Sequence, residues 1–173
     1  VVDGLIQSGG DVALNVSGPA AQDLEIGGAV YADGDLSVVN LAGDVYLYDA
    51  VLAADADGIG GDGALLVQAV GTVTAEGGEL WVGADGGPAT GGITIRGGAL
   101  DLGLDAYGTS IDLDASGSID LAYGSFVATG DIYAYAGDQI TTTASAILDA
   151  GADATLVAGN GMDLAGDITA GGD

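Results

Sequence analysis

The sequence lacks several residue types whose chemistry other residues replace poorly. It has no Cys, no His and no Lys, and Arg96 is its single basic residue. Without Cys there is neither a disulfide framework nor a thiolate metal site. Without His there is no imidazole to activate a nucleophile, and with one cation there is almost nothing to neutralise phosphates. We therefore expect no enzyme activity and no nucleic-acid partner.

Long apolar runs and large side chains are also scarce. Asp or Gly interrupts each apolar stretch before it reaches the length of a membrane span, so no membrane insertion is expected. No window shows a helical apolar period free of Gly. The chain has one Trp, one Phe and one Met. The core must therefore be thin and built from small aliphatic side chains.

What the chain does contain indicates turn-rich β structure. Its 173 residues are 49% hydrophobic and include 34 Gly. The mean hydropathy of +0.45 argues against disorder, and frequent Gly is typical of tight turns between short elements. We predict one all-β domain over residues 1–173.

A repeat of turn and strand runs through the sequence. A Gly-Asp or Gly-Ser pair precedes a segment with apolar residues at every second position, which is the period of a strand with one buried face. The examples are GDVALNV from Gly10, GDLSVV from Gly34, GDVYLY from Gly43, GSIDLAY from Gly117, GDIYAY from Gly130 and GDIT from Gly166. Each predicts a turn followed by a strand.

A longer period groups these strands in threes. Corresponding strands return after roughly 21–23 residues, since Ile119, Phe126 and Ile132 are followed by Ile140, Ile147 and Thr155, and then by Met162 and Ile168. Three short strands per repeat predict a right-handed parallel β-helix of about eight coils. Segments 53–63 and 83–92 are predicted loops that lengthen single coils.

The stretch from Gly117 to Asp173 carries the pattern Gly-x-Ile/Val-x-Leu-x-Ala-Gly. In this it resembles the repeat regions of filamentous haemagglutinin-like exoproteins and large autotransporter adhesins. The resemblance implies a right-handed parallel β-helix that is secreted to the bacterial cell surface and serves attachment, biofilm formation or contact with other cells.

The function expected on these grounds is a structural or adhesive extracellular solenoid, the shaft or surface of a secreted adhesin. One alternative is a subunit that assembles into an extracellular filament by end-to-end stacking of coils. Another is a glycan-binding or glycan-cleaving β-helix. An ice-binding solenoid would need rows of Thr, to which only Thr141–Thr143 correspond. The expected partners are further copies of the chain, in end-to-end or lateral association, or cell-surface glycans.

The acidic residues raise the question of what offsets their repulsion. The chain has 26 acids and a net charge of −25. Carboxylates stacked one coil apart repel by about 1 kcal/mol per pair in water. Divalent ions, salt or staggered positions would screen them, or each Asp accepts a backbone N–H of its own turn.

One acidic loop is a candidate calcium site. In ADADGIGGDG, Asp55, Asp57 and Asp62 lie on a Gly-rich loop that can bend around a hard cation. The stretch partly resembles the calcium-binding nonapeptide of RTX proteins, with Gly58, Gly60 and Asp62 at matching offsets. Ca²⁺ is therefore the candidate cofactor, and a solvated acidic loop is the preferred interpretation.

Two further groups are candidates for contacts with a ligand or another rod. If Val45 and Ile132 point inward, the strand period turns Tyr46, Tyr48, Tyr133 and Tyr135 outward. Their separation is close to four coils, which predicts that both pairs lie on one side of the rod. Asp112 and Asp114 share a strand face, with Asp120 expected a coil later. Such carboxylates could serve glycoside hydrolysis, but a solvated outer face is the preferred interpretation.

Overall fold

The strands of this chain stack parallel to one another in successive coils. The structure, a computed structural model, describes residues 1–59 and 63–172. Over these residues it is a parallel β-solenoid of about seven turns without helix, so the predicted all-β parallel β-helix is confirmed. In the described part of the chain no helix is long and apolar enough to cross a membrane.

The strands follow closely on one another along the chain. Over the described residues they are β1 (Leu5–Ser8), β2 (Val12–Val16), β3 (Leu24–Ile26), β4 (Ala29–Ala32), β5 (Leu36–Asn40), β6 (Val45–Ala54), β7 (Leu65–Ala69), β8 (Thr72–Val82), β9 (Gly92–Gly97), β10 (Ala99–Gly108), β11 (Ser110–Ala115), β12 (Ile119–Ala128), β13 (Ile132–Ala136), β14 (Gln139–Thr142), β15 (Ala146–Ala150), β16 (Ala154–Ala158), β17 (Gly161–Leu164) and β18 (Asp167–Ala170).

Each coil presents three faces. Face I is the seven-stranded sheet of β2, β5, β7, β9, β11, β13 and β16. Faces II and III together form the second sheet, in which the long strands β6, β8, β10 and β12 bend at a corner. Face II contains β3, the first halves of those long strands, β14 and β17, and face III contains β1, β4, their second halves, β15 and β18. Three strand segments per coil agree with the sequence prediction.

The coils differ in length. Successive coils begin on face I at residues that stand in register, namely Val12, Leu36, Leu65, Ile93, Ile111, Ile132 and Ala154. The coils that start at Leu36 and Leu65 are the longest, and the coil that starts at Ile93 is the shortest. The predicted period therefore holds only after Ile111. The chain makes about seven turns instead of eight because the two longest coils carry extra residues between β6 and β7 and between β8 and β9.

Three pairings differ by one residue from the expected register. Leu148 instead of Ile147 pairs with both Phe126 and Ile168, and Ile132 pairs with Ala154 instead of Thr155. A shift of one residue turns a side chain to the opposite face of a strand. Ile147 is accordingly 41% exposed, whereas Leu148 is buried.

The core is one continuous column of aliphatic side chains inside the coils. On face III, for example, the inward positions of successive coils are occupied by Val30, Leu52, Leu80, Ala106, Phe126 and Leu148, all buried. Most of the other core residues are Ala, Val, Leu and Ile. The thin aliphatic core is as predicted.

Aspartates at the turns hydrogen-bond to the next coil. The Asp11 carboxylate accepts the N–H of Asp35, and Asp35 in turn accepts the N–H of Ala64. Asp44 accepts the N–H of Thr72 at 2.7 Å. Because each of these partners lies in the following coil, the idea that each Asp caps its own turn is wrong for them. Each of these carboxylates instead adds a bond between coils.

Candidate functional site

Three aromatic side chains line up on the outside of face III. The second outward position of successive coils is occupied by Gln7, Tyr31, Ala53, Trp81, Tyr107 and Val127. We call Tyr31, Trp81 and Tyr107 the aromatic strip. It follows the rod axis, because parallel strands in register place equivalent side chains one above the other at about 4.8 Å per coil.

The aromatic rings close over a small residue. Tyr31 and Trp81 lie two coils apart, yet their ring centroids are 6.0 Å from each other, with the ring planes tilted by 59°. Between them Ala53 points outward and is nevertheless 0% exposed, and it does not belong to the core cluster. Because Ala53 has a small side chain, the rings of Tyr31 and Trp81 can approach each other above it.

Two cavities flank Trp81 and together form a groove. One, of about 340 Å³, lies between Glu79, Trp81, Asp85 and Tyr107 and includes residues of the loop 83–91. The other, of about 410 Å³, is lined by Leu5, Gln7, Tyr31, Asp33, Ala56, Asp57, Trp81 and Asp85. Trp81 and Asp85 line both cavities. The groove therefore has an aromatic floor and an acidic rim.

Described residues of the two segments that lengthen the coils line this groove, namely Ala56 and Asp57 of the first segment and residues 84–87 and Ala89 of the second. The loop 83–91 is closed at its base by a bridge between Gly83 and Ala89, and the N–H of Thr90 donates to the carbonyl of Val82 at 3.1 Å. Gly58, in the segment that follows β6, lies so close to Ala84 that an added Cβ would be 2.8 Å from its Cβ. The first residues of the two segments thus pack against each other.

The groove is strongly negative. Desolvation, together with the carboxylates of Asp105 and Glu79, raises the pKa of Tyr107. Arg96, the one cation among the side chains, lies on face I and pairs with Asp112 and Asp114. No basic side chain is therefore left to balance the acids of the groove.

No protein-family model, curated protein or solved structure matches this chain. The parallel β-helix agrees with the resemblance to adhesin repeats, but no family match supports membership of that group. The chemistry of the surface residues is therefore the basis for proposing a function.

The tyrosines selected from the sequence point outward as predicted, but they lie on two faces. Tyr133 and Tyr135 are on face I, 41% and 42% exposed, whereas Tyr46 and Tyr48 are on face II. The prediction that both pairs share one side of the rod is wrong. The Gly-Asp turn begins strands on either face, and the coils between the two pairs are unequal in length.

The rings of Tyr46 and Tyr48 stack. Their ring centroids are 6.1 Å apart and their planes differ by 4°. The hydroxyl of Tyr46 donates to Asp44 at 3.2 Å, and the carboxylate of Asp44 raises the pKa of Tyr46. This pair is thus tied to a turn residue of its own coil.

The paired carboxylates of face I both lie beside Arg96. Its Nη2 lies 3.5 Å from Oδ2 of Asp112 and its Nε 3.9 Å from Oδ2 of Asp114. With Tyr133 and Tyr135 these aspartates line an open depression of about 390 Å³. Asp120, expected one coil later, lies instead in the same coil as Asp112, on face II beside Asp101. The depression is shallow and ion-paired, which fits a solvated surface better than a catalytic centre.

The predicted calcium loop is described only in part. Gly60 and Asp62 lie outside the described residues. Asp55 is 2% exposed, and its Oδ2 makes no hydrogen bond to the described residues. Asp57 is exposed and accepts the N–H of Ile59 at 2.9 Å. Within residues 1–59 and 63–172 no three acidic side chains lie together as a metal site would require, and calcium binding stays a prediction.

Sequence reasoning missed the aromatic strip. Its members are far apart in the chain, and the two longest coils, which start at Leu36 and Leu65, conceal their common register. One sequence pattern could have indicated the strip. Tyr31 directly precedes the Ala-Asp-Gly segment at 32–34, and Trp81 lies three residues before the first residue of the one at 84–86. An aromatic residue before such a turn is an outward side chain beside a corner of the coil.

Proposed function

We propose that this chain is a structural and adhesive β-solenoid, a rod of an extracellular bacterial surface protein that displays binding residues on its outer faces. The observation that carries the proposal is the unbroken stack of coils. Each coil pairs its strands with those of its neighbours and cannot bury its apolar face alone. Such a rod holds surface residues at fixed spacing along its axis.

The outer surface supports a binding role more than a catalytic one. The chain has no His, Cys or Lys to act as a base or nucleophile, and Arg96 is engaged with two aspartates. The paired carboxylates beside Arg96 line an open depression, whereas catalytic groups usually lie in an enclosed pocket. We therefore propose a non-enzymatic function.

Glycan binding is the second candidate, and the aromatic strip favours it. Exposed aromatic rings beside carboxylates provide both a flat apolar surface and hydrogen-bond acceptors, as in many ligand sites. Lateral association of identical rods is less favoured in the absence of a bridging cation, because each carries a net charge of −25 and like charges repel.

Adhesion is tested with beads coated with the purified chain. We expect their retention on glycan-coated or cell surfaces to exceed several-fold that of beads coated with an unrelated protein of similar negative charge. Parallel runs with calcium and with EDTA test the predicted Ca²⁺. Retention no higher than that of the acidic control on every surface would overturn the adhesive function.

Electron microscopy separates a rod from a filament subunit. Seven coils at about 4.8 Å each give a rod of roughly 34 Å. Single particles of that length support the rod, whereas long filaments would support the assembly alternative instead.

A further inference from the structure

The groove on face III contains more than a rod requires. Two cavities of about 340 and 410 Å³ share Trp81 and reach the size of small-molecule sites, and unlike the depression on face I they are lined by residues of the lengthening segments as well as by strand residues. Tyr107 is 43% exposed and Trp81 is partly exposed, so their rings are accessible. Exposed rings at the bottom of a groove offer a flat surface to a ligand with an apolar face.

The acidic rim restricts the charge of that ligand. Glu79 and Asp85 line the cavity that contains Tyr107, and Asp33, Asp57 and Asp85 line the other. An anionic ligand would be repelled and a neutral one would gain nothing from the charges. A cation gains twice, since it pairs with the carboxylates and is attracted to the face of Trp or Tyr. Charge complementarity therefore favours a positively charged ligand.

The shape of the groove favours a chain-like ligand with flat rings. The aromatic strip extends over the coils of β4, β6, β8 and β10, parallel to the rod axis, and a cavity lies on either side of Trp81. An elongated molecule with repeated rings and repeated cations could occupy both cavities at once, which multiplies weak contacts. Sugar rings present a flat face of C–H groups, and amino sugars also carry an ammonium group.

We propose that the groove binds a polysaccharide of amino sugars with free ammonium groups, of the glucosamine type. Its sugar rings lie against Trp81 and Tyr107, and its ammonium groups face Glu79 and Asp85. This inference rests on the proposed adhesive function and deepens it, because it names the glycan that the rod would hold.

The groove has its own spectroscopic reporter, because Trp81 is the single Trp of the chain. Titration with glucosamine oligomers should give a saturable change in Trp fluorescence that weakens as salt is raised. The fully N-acetylated oligomers have the same rings without the charge and should bind at least about tenfold more weakly. Polylysine has the charge without the rings and should also bind weakly.

Two groove variants and one matched control locate the site. Tyr107→Ala should weaken glucosamine binding about tenfold, and Glu79→Gln should weaken it by a smaller factor and reduce its salt dependence. Tyr133→Ala removes an equally exposed ring from face I and should leave binding unchanged. Both tyrosines are outward, so each variant should keep the β-rich circular dichroism spectrum of the parent.

Three outcomes overturn the inference. They are equal affinity for acetylated and free-amino oligomers, equal affinity for polylysine, and fluorescence that no oligomer changes. Bead retention distinguishes failure of the groove assignment from failure of the proposed adhesive function. If parent and Tyr107→Ala beads adhere equally, the rod is adhesive but the groove is not the site. If oligomers bind in solution while parent beads do not adhere, the groove assignment stands and adhesion fails.

Discussion

The coils before Ile93 and those after it have the same core but different surfaces. Measured between residues in register on face I, every coil before Ile93 is longer than any coil after it. The two lengthening segments, which connect β6 to β7 and β8 to β9, are inserted at the corner between faces III and I. The strands on either side of them stay in register with their neighbours. Extra length at a corner thus changes the surface without disturbing the core.

The surfaces differ in consequence. In the earlier coils described residues of the lengthening segments line a groove around Trp81. In the later coils short turns leave the faces open, with exposed side chains such as Ile147 and Val157 and a shallow depression beside Tyr133 and Tyr135. A regular coil is sufficient for the rod, whereas the groove beside Trp81 is lined by residues of the lengthening segments.

The largest effects should come from the core, and should be alike in both regions. Phe126→Ala in the later coils should lower the free energy of unfolding by about 3–5 kcal/mol, and Leu80→Ala in the earlier coils by about 2–5 kcal/mol, because both side chains are fully buried in one column. Urea denaturation measures both, with Ile147→Ala as the exposed control. A cost below about 1 kcal/mol for Leu80→Ala would break the equivalence of the two cores.

The corner between faces II and III should respond differently to mutation in the coil of β6 and in the coil of β12. In the later coils Gly124 has φ of 102° and packs against the backbone of Leu104. Gly124→Ala should therefore lower the free energy of unfolding by about 1–3 kcal/mol. In the earlier coils Asp49 of β6 occupies this corner with φ of 47°, whereas Gly77 and Gly78 of β8 occupy it with φ of 78° and 88°. Asp49→Gly should raise the free energy of unfolding by up to about 1 kcal/mol. Thermal melting compares them with Gly10→Ala, where a Cβ meets nothing within 4 Å.

The hydrogen bonds that Asp side chains make between coils should contribute more to the free energy of unfolding in the earlier region. Asp44 accepts from both the Thr72 N–H and the Tyr46 hydroxyl, so Asp44→Ala should cost about 1–2 kcal/mol. Asp131 makes one exposed bond, to the N–H of Asp153, and Asp131→Ala should cost about 0.5 kcal/mol. Asp44→Asn keeps an acceptor and should recover part of the loss. Equal losses at the two positions would contradict the difference.

The smallest effect concerns two carboxylates on face II of the later region. Desolvation and the neighbouring Asp101 raise the pKa of Asp120. The Asp120 carboxyl therefore keeps its proton to higher pH in the folded chain than in the unfolded chain. Its contribution to the free energy of unfolding is fully present below the usual carboxyl pKa and is lost as pH rises through the raised pKa. Asp120→Asn should raise the free energy of unfolding by less than about 0.5 kcal/mol at pH 7 and leave it unchanged at pH 3.

Urea titrations at the two pH values measure that difference. Asp163→Asn is the control, because its register neighbour is Thr141 and not a carboxylate. A gain for Asp120→Asn that is the same at both pH values would show that charge is not its cause.

The strand pattern and the fold could be predicted from sequence, because each depends on neighbouring residues. Alternating apolar positions indicated the inward side chains, and the outward tyrosines such as Tyr133 followed from the same period. The face of each strand could not be predicted. The Gly-Asp turn begins β13 on face I, β6 on face II and β18 on face III, so the motif marks a corner without saying which one.

The groove could not be predicted because it depends on which coils are adjacent. Tyr31 and Trp81 meet across the coil that holds Ala53, and their separation along the chain is no multiple of the period of the regular coils. The bond from Asp44 to Thr72 escaped prediction for the same reason. Contacts between coils follow from the length of each coil, which the lengthening segments alter.

The fully buried Ala53 limits how this rod could change in length during evolution. A solenoid whose units touch only their nearest neighbours can gain or lose one unit by duplication or deletion and keep its fold. The rings of Tyr31 and Trp81 reach over the unit between them, so an additional coil there would move them apart by about 4.8 Å. The chain from β4 to β8 is therefore expected to be inherited as a single block, whereas the regular coils that follow can vary one at a time.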